Sequence, residues 1–293
     1  MAKQAYITKR FSLDRLVTIQ RVNDIVEDLQ SQGFRLTTRQ IYYQLVAAGH
    51  IPNTIQSYKN VADTINDGKL AGLIDWEAIE DRTRSFSREQ RWDSGAHILD
   101  ACIRGYHQDM WVGQASRVFV LVEKDALKGV LEPTCRKYDV PLLAARGYPS
   151  GTVLREFAES DLLPCLDEGL EPIILHLGDH DPSGIDMSRD LSKRFEMFCD
   201  YPIEVRRIAL NMDQVLEVNP PPNPAKSTDA RFAGYAKEFG HESWELDALS
   251  PSYLVRLLSS EIEGYIDHDI RNEVVAEVKH VKSRLAEVAK ELR

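Results

Sequence analysis

Apolar positions near the start of the chain recur at helical spacing. Over residues 12–32, Leu16, Ile19, Val22, Ile25, Val26 and Leu29 fall three and four apart, which predicts a helix capped by Ser12 or Asp14 and ended by Gly33. Thr37 or Thr38 caps a second predicted helix that carries Ile41, Tyr42, Leu45, Val46 and Ala48 and stops at Gly49 and Pro52. A third, over about 55–71, has Tyr58, Val61, Ile65 and Leu70 on one face, and Leu73–Ile79 after it reads as a short strand. Residues 92–115 are expected to form a helical connector, with Trp92, Ile98, Ile103, Tyr106 and Trp111 as packing residues. The pattern then changes to short apolar runs at 117–122, 140–145, 173–177 and 203–210, with a helix near 125–138 between the first two. Alternation of strand and helix predicts a parallel sheet covered on both faces. Asn219–Pro224 is a stiff extended linker. From Leu254 onward, Ile262, Ile266, Ile270, Val274, Val278, Val281, Leu285, Val288 and Leu292 give one long amphipathic helix or two in tandem, either a dimer seam or a cover for the sheet.

Two of the predicted strands end on acids. Val122 is followed by Glu123, and the run from Ile173 to Leu177 leads into Asp179-His180-Asp181, broken by Pro182 and Gly184. In extended chain, residues two apart point to the same side, so Asp179 and Asp181 can present their carboxylates to one point. Open parallel sheets collect ligands beyond the carboxyl ends of their strands, which puts Glu123 opposite this pair if the strands are neighbours. Three carboxylates suit a hard divalent cation, Mg²⁺ with Mn²⁺ as the alternative. The competing reading is a turn and a helix cap. By the same alternation His176 and His180 point away from the acids, so a zinc site built on histidine is not expected. Arg146 and Arg155 flank the loop at Gly147–Gly151, as phosphate contacts or as surface ion pairs.

The net charge of −10 is unusual for a nucleic-acid binder, but it is unevenly spread. Residues 1–91 carry 13 Lys and Arg against 11 Asp and Glu, whereas residues 92–293 carry 23 against 35. Phosphate contacts are therefore expected in the first third, where Arg82, Arg84, Arg88 and Arg91 cluster. No run is long enough to span a membrane and the start lacks a signal-peptide core, so a cytoplasmic, nucleoid-associated protein is expected. The four cysteines have no ligand spacing and read as free thiols. Neither a P-loop nor a dinucleotide fingerprint is present, so ATP use would come from a partner.

Three helices followed by a short ribbon is the plan of a winged helix, whose third helix commonly enters the major groove. Glu123 followed by Asp179-His180-Asp181 resembles the Toprim domain of topoisomerases, primases and related nucleases. Val122-Glu-Lys-Asp125, Arg146-Gly-Tyr-Pro149 and Gly178-Asp-His-Asp-Pro-Ser-Gly184 are closer still to the A subunit of type IIB topoisomerases, topoisomerase VI, and its meiotic break-making relatives. Ser243-Trp-Glu-Leu-Asp-Ala-Leu249 also resembles that family. Arg39-Gln-Ile-Tyr-Tyr43 is similar to its nucleophile motif, with Gln40 where the family has an acid; the resemblance carries the attacking tyrosine onto Tyr43 and a supporting arginine onto Arg39.

The resemblance implies an α/β chain with an N-terminal winged-helix domain (1–91), a helical connector (92–115) and a Toprim domain with C-terminal helices (116–293). It further implies a DNA transesterase acting on double-stranded DNA as a homodimer, with each tyrosine beside the partner's metal and with an ATPase B-type subunit as a further partner. In that reading Glu123 is both catalytic and a metal ligand beside Asp179 and Asp181. Two alternatives stay open: a Toprim nuclease that uses water, and a DNA-binding or assembly protein with no activity.

Overall fold

A computed structural model describes residues 3–34, 36–79 and 91–291. It begins with three helices, α1 (Leu13–Ser31), α2 (Thr38–Ala47) and α3 (Ile55–Leu70). Each starts where a side-chain oxygen meets a free backbone N–H: Ser12 caps α1, Thr37 caps α2 and Thr54 caps α3. In α2 the cap is reciprocal, because Gln40 also accepts from the Thr37 N–H at 2.9 Å. The helices share a core of Ile19, Val22, Ile41, Leu45, Ile65 and Ile74. The expected strand at Leu73–Ile79 does not form; that stretch is turn, tied down by a single bridge from Leu36 to Ile79. Arg82, Arg84 and Arg88 lie outside the described residues, and Arg91 is exposed.

The expected connector is only partly helical. Helix α4 (Gly95–Gly105) covers its first half and buries none of its residues, because it packs mainly on one other helix rather than in a core. Trp92 and Ile98 are exposed, and among the five expected packing residues Trp111 alone is buried, its indole N–H donating to the carbonyls of Tyr138 and Asp139.

The second half of the chain is α/β. Strands β1 (Ser116–Val122), β2 (Leu142–Ala144), β3 (Glu171–Leu177) and β4 (Glu204–Ala209) form a four-stranded sheet in the order β2-β1-β3-β4, with every pairing parallel. The period of two sorts the side chains: Val118, Val120 and Val122 join one core, Phe119 and Leu121 the other. The first face is covered by α5 (Lys128–Tyr138) and α11 (Pro251–Glu263), through Leu131, Leu254 and Leu258. The second is covered by α6 (Gly151–Phe157), its continuation through a π-helical turn into α7 (Leu163–Asp167), and α8 (Pro182–Cys199), through Leu154, Leu162, Leu191 and Phe195.

Beyond β4 come α9 (Met212–Val218), α10 (Phe232–Phe239) and a short antiparallel pair, β5 (Asn223–Pro224) with β6 (Glu242–Ser243). The end of the expected linker is thus paired with β6. The C-terminal apolar pattern resolves into two helices, α11 and α12 (His268–Glu291). The first covers the sheet and the second packs on α4. No helix among the described residues is long and apolar enough to cross a membrane.

Candidate active site

β1 and β3 are hydrogen-bonded neighbours and end level, so the residues just beyond them meet at the carboxyl edge of the sheet. The Glu123 N–H donates to the Leu177 carbonyl at 2.9 Å, and Glu123 Oε2 accepts from the Asp179 N–H at 3.0 Å. Gly178 between them leaves room for this: a Cβ there would lie 3.0 Å from Glu123 Oε2 and 3.2 Å from the Arg207 guanidinium. Asp181 is the N-cap of α8, its Oδ1 accepting from the Gly184 N–H at 2.6 Å and from Ser183 Oγ at 3.0 Å. The cap reading and the site reading therefore apply to the same residue. A Cβ on Gly184 would fall 2.2 Å from the Asp179 carbonyl oxygen, so only glycine fits the turn.

Asp179 is tied on its other side. Its Oδ1 accepts from the Leu246 N–H at 2.7 Å and lies 3.1 Å from Lys124 Nζ. The same ammonium contacts Glu245 and sits 2.9 Å from Asp247 Oδ1. Burial works against the charge on Lys124, but Asp247, Asp179 and Glu245 outweigh it and hold the ammonium protonated. Burial raises the Asp179 carboxyl; Lys124 pulls it back, Glu123 and Glu245 push it up, and it settles at about 8. Glu123 is raised as well, by burial first and by Asp181 among its neighbours, against the pull of the Asp179 N–H.

Arg207, from β4, supports this edge from beneath. Its guanidinium donates to the carbonyls of Gly184 (2.8 Å), Gly178 (2.9 Å), Asp179 (2.7 Å) and Leu210 (3.1 Å), so one side chain fixes the whole Gly178–Gly184 turn. Burial brings its pKa down to about 10, opposed by Glu123, Asp179 and Asp181.

The N-terminal helices complete the site. A cleft of about 470 Å³ is lined by Arg39, Tyr42, Tyr43 and Tyr58 on one side and by Glu123, Asp179, Asp181 and Glu245 on the other. Arg39 and Tyr43 are one turn apart on α2, and the guanidinium lies against the Tyr43 hydroxyl and 3.7 Å from Asp247. Burial, then Asp247 and Glu245, push the Tyr43 hydroxyl up to about 12, against the opposing pull of Lys124 and Arg39. Tyr42 has a different task. Its hydroxyl donates to Asn53 Oδ1 at 2.9 Å and to the Thr54 carbonyl at 3.1 Å, anchoring the start of α3.

The donors suit a hard cation: beyond the hydrogen bonds just described, Glu123, Asp179 and Asp181 each have a second carboxylate oxygen, and burial first, then neighbouring carboxylates, raise the first two. Yet among the described residues no three Asp, Glu, His or Cys side chains converge as they would around a bound metal ion. His176 and His180 are buried and bonded to Ser188 Oγ (2.8 Å) and the Tyr235 hydroxyl (2.9 Å). Arg146 and Arg155 form surface ion pairs with Asp125 and Glu159.

Four of the residues that build the site are given no role by the sequence: Lys124, Glu245 and Asp247, although they lie in stretches that carry the resemblance, and Arg207. A charged residue at the end of a buried strand, as Lys124 is, was the available signal. The chain matches no family model and no curated protein.

Proposed function

We propose that the chain is a metal-dependent DNA transesterase similar to the topoisomerase VI A subunit, with residues 1–91 as a winged-helix DNA-binding domain and residues 116–293 as a Toprim domain. The observation that carries this reading is the cleft, which brings Tyr43 and Arg39 together with Glu123, Asp179 and Asp181 although α2 and the acid loops are far apart in sequence. Mg²⁺ or Mn²⁺ held by those three carboxylates would neutralise charge on the phosphate under attack. A row of carboxylates otherwise repels DNA, which makes cleavage dependent on the cation.

The protein's own groups have separate tasks. Arg39 holds a phosphate oxygen by a charge-assisted hydrogen bond and keeps the phosphorus in line with the Tyr43 oxygen. The tyrosine oxygen bonds to phosphorus, one bridging P–O bond breaks, the phenolic proton is lost and the released sugar oxygen gains one. The phosphodiester's energy is kept in the phosphotyrosine, so resealing needs no ATP for the chemistry. A homodimer provides one tyrosine for each strand of the duplex. An ATPase B-type subunit and a nucleoid location belong to the same reading.

One observation favours a second reading, a nuclease in which the acids activate water. Tyr43 is only 5% exposed and its hydroxyl is pushed up to about 12, which disfavours the phenolate. Incubation with supercoiled plasmid and Mg²⁺ or Mn²⁺ separates the two. The transesterase leaves protein covalently attached to cut DNA, and the nuclease leaves free 5′-phosphate ends. Asp179→Ala or Asp181→Ala is expected to abolish cutting with little loss of DNA affinity, most of which comes from phosphate contacts elsewhere. Full activity in EDTA would exclude both readings.

A further inference from the structure

We infer that the Lys124 ammonium and a divalent cation exclude each other at Asp179, so that Lys124 sets how tightly the acid edge holds its metal. This deepens the proposed reaction and rests on it only for the metal site.

Lys124 follows Glu123 just beyond β1, and its largely buried ammonium lies among three carboxylates: Asp247 Oδ1 at 2.9 Å, Asp179 Oδ1 at 3.1 Å, and Glu245. Those spacings belong to an ammonium. A charged N–H donor holds a carboxylate oxygen at about 2.7–2.9 Å, whereas Mg²⁺ takes its oxygens at about 2.0–2.1 Å in near-ideal octahedral geometry. Oxygens spread around a lysine cannot at the same time close on such an ion. Asp179 is the member common to this cage and to the proposed ligand set, and its Oδ1 already accepts from Lys124 and from the Leu246 N–H at 2.7 Å.

A metal ion on Asp179 therefore draws that carboxylate away from the ammonium. The loss is limited, because Lys124 keeps Asp247 and Glu245. Asp247 stays where it is: its side chain is fully buried, and the next residue, Ala248, is seated in the core of the N-terminal helices. Lys124 is thus a positioning residue, which acts on the metal through Asp179. Its competition keeps the bare site weak. Mg²⁺ is commonly held by one or two carboxylates together with substrate phosphates, so a phosphate oxygen supplies what Lys124 withholds, and metal and DNA bind together.

Mn²⁺ binding to the protein without DNA, followed by the electron paramagnetic resonance of the free ion, tests this apart from any cleavage. Wild type is compared with Asp247→Asn, with Lys124→Met combined with Asp247→Asn, and with that combination plus Glu123→Gln. Removing one charge of each sign keeps the net charge and avoids leaving Asp247 buried without its counter-charge. The Lys124→Met, Asp247→Asn chain is expected to bind Mn²⁺ about tenfold more tightly than wild type, within the range over which groups around the ligands tune a metal. Asp247→Asn alone is expected to give no gain, and Glu123→Gln to abolish it. Equal affinities, the same gain from Asp247→Asn alone, a gain that survives Glu123→Gln, or no Mn²⁺ bound by any of these chains overturns the inference. If the combined variant does not fold, wild type decides: acetylation of Lys124, read by mass spectrometry of its peptide, is faster in Mn²⁺ than in EDTA if the ammonium gives up Asp179, and equal rates overturn it. Absence of any DNA adduct from wild type is a different failure, that of the transesterase reading itself.

Discussion

Gly184 shows how tightly the acid turn is made. An alanine there would place its Cβ 2.2 Å from the Asp179 carbonyl oxygen, a backbone atom that Arg207 holds fixed. Gly184→Ala is expected to destabilise the fold by about 1–3 kcal/mol and to displace the Asp179 and Asp181 carboxylates; a lowered thermal midpoint together with lost cleavage checks this, and an unchanged midpoint contradicts it. His176 gives a prediction in pH. Burial, with Arg207 beside it, lowers the imidazole from 6.5 to about 3. The unfolded chain therefore takes up a proton as pH falls below 6.5 and the folded chain does not. Stability contributed by neutral His176 is complete above that pH and is lost on acidification, by up to about 1.4 kcal/mol per pH unit. Asp179 has the opposite sign, because a carboxyl raised from 3.8 to about 8 makes the folded state less stable as pH rises through that window. The difference between wild type and His176→Asn isolates the histidine. Urea unfolding from pH 7 to 5 is expected to show a smaller acid loss in the variant, and equal slopes would contradict a buried neutral imidazole.

Secondary elements were legible in the sequence where local chemistry decides them. The caps at Ser12 and Thr37 mark the starts of α1 and α2, and the apolar runs mark β1 to β4. Leu73–Ile79 was not legible, because an apolar run also serves a turn that seats Ile74 and Ile79 in the helical core. The connector was legible in part: α4 forms within it, but Trp92 and Ile98 have no core to enter. Of the site, the acids could be read because strand ends in a parallel sheet collect ligands. The pairing of Lys124 with Asp247 could not, since the two are 123 residues apart and it depends on where the segment Glu245–Ala248 lies. Lys124→Met tests that element. Removing the ammonium leaves buried carboxylates uncompensated, and a loss of about 3–5 kcal/mol in chemical denaturation is expected. Adding Asp247→Asn to it should recover part of the loss, and strictly additive losses would show that the two side chains are not coupled.

At the scale of the whole molecule, a helical domain and a parallel α/β domain are docked so that their junction is the cleft. In the proposed reading, Glu123, Asp179, Asp181 and Glu245 make that junction a poor resting place for DNA unless a cation is present. The central claim, that Tyr43 attacks DNA in this cleft, is tested most directly by locating the covalent bond. Wild-type protein is incubated with plasmid and Mg²⁺, the adduct is digested with nuclease and protease, and the nucleotide-bearing peptide is identified by mass spectrometry. The account predicts a phosphotyrosine on Tyr43, absent from Tyr43→Phe and retained in Tyr42→Phe. DNA cut at the wild-type rate by Tyr43→Phe, with no peptide carrying a nucleotide, would contradict it.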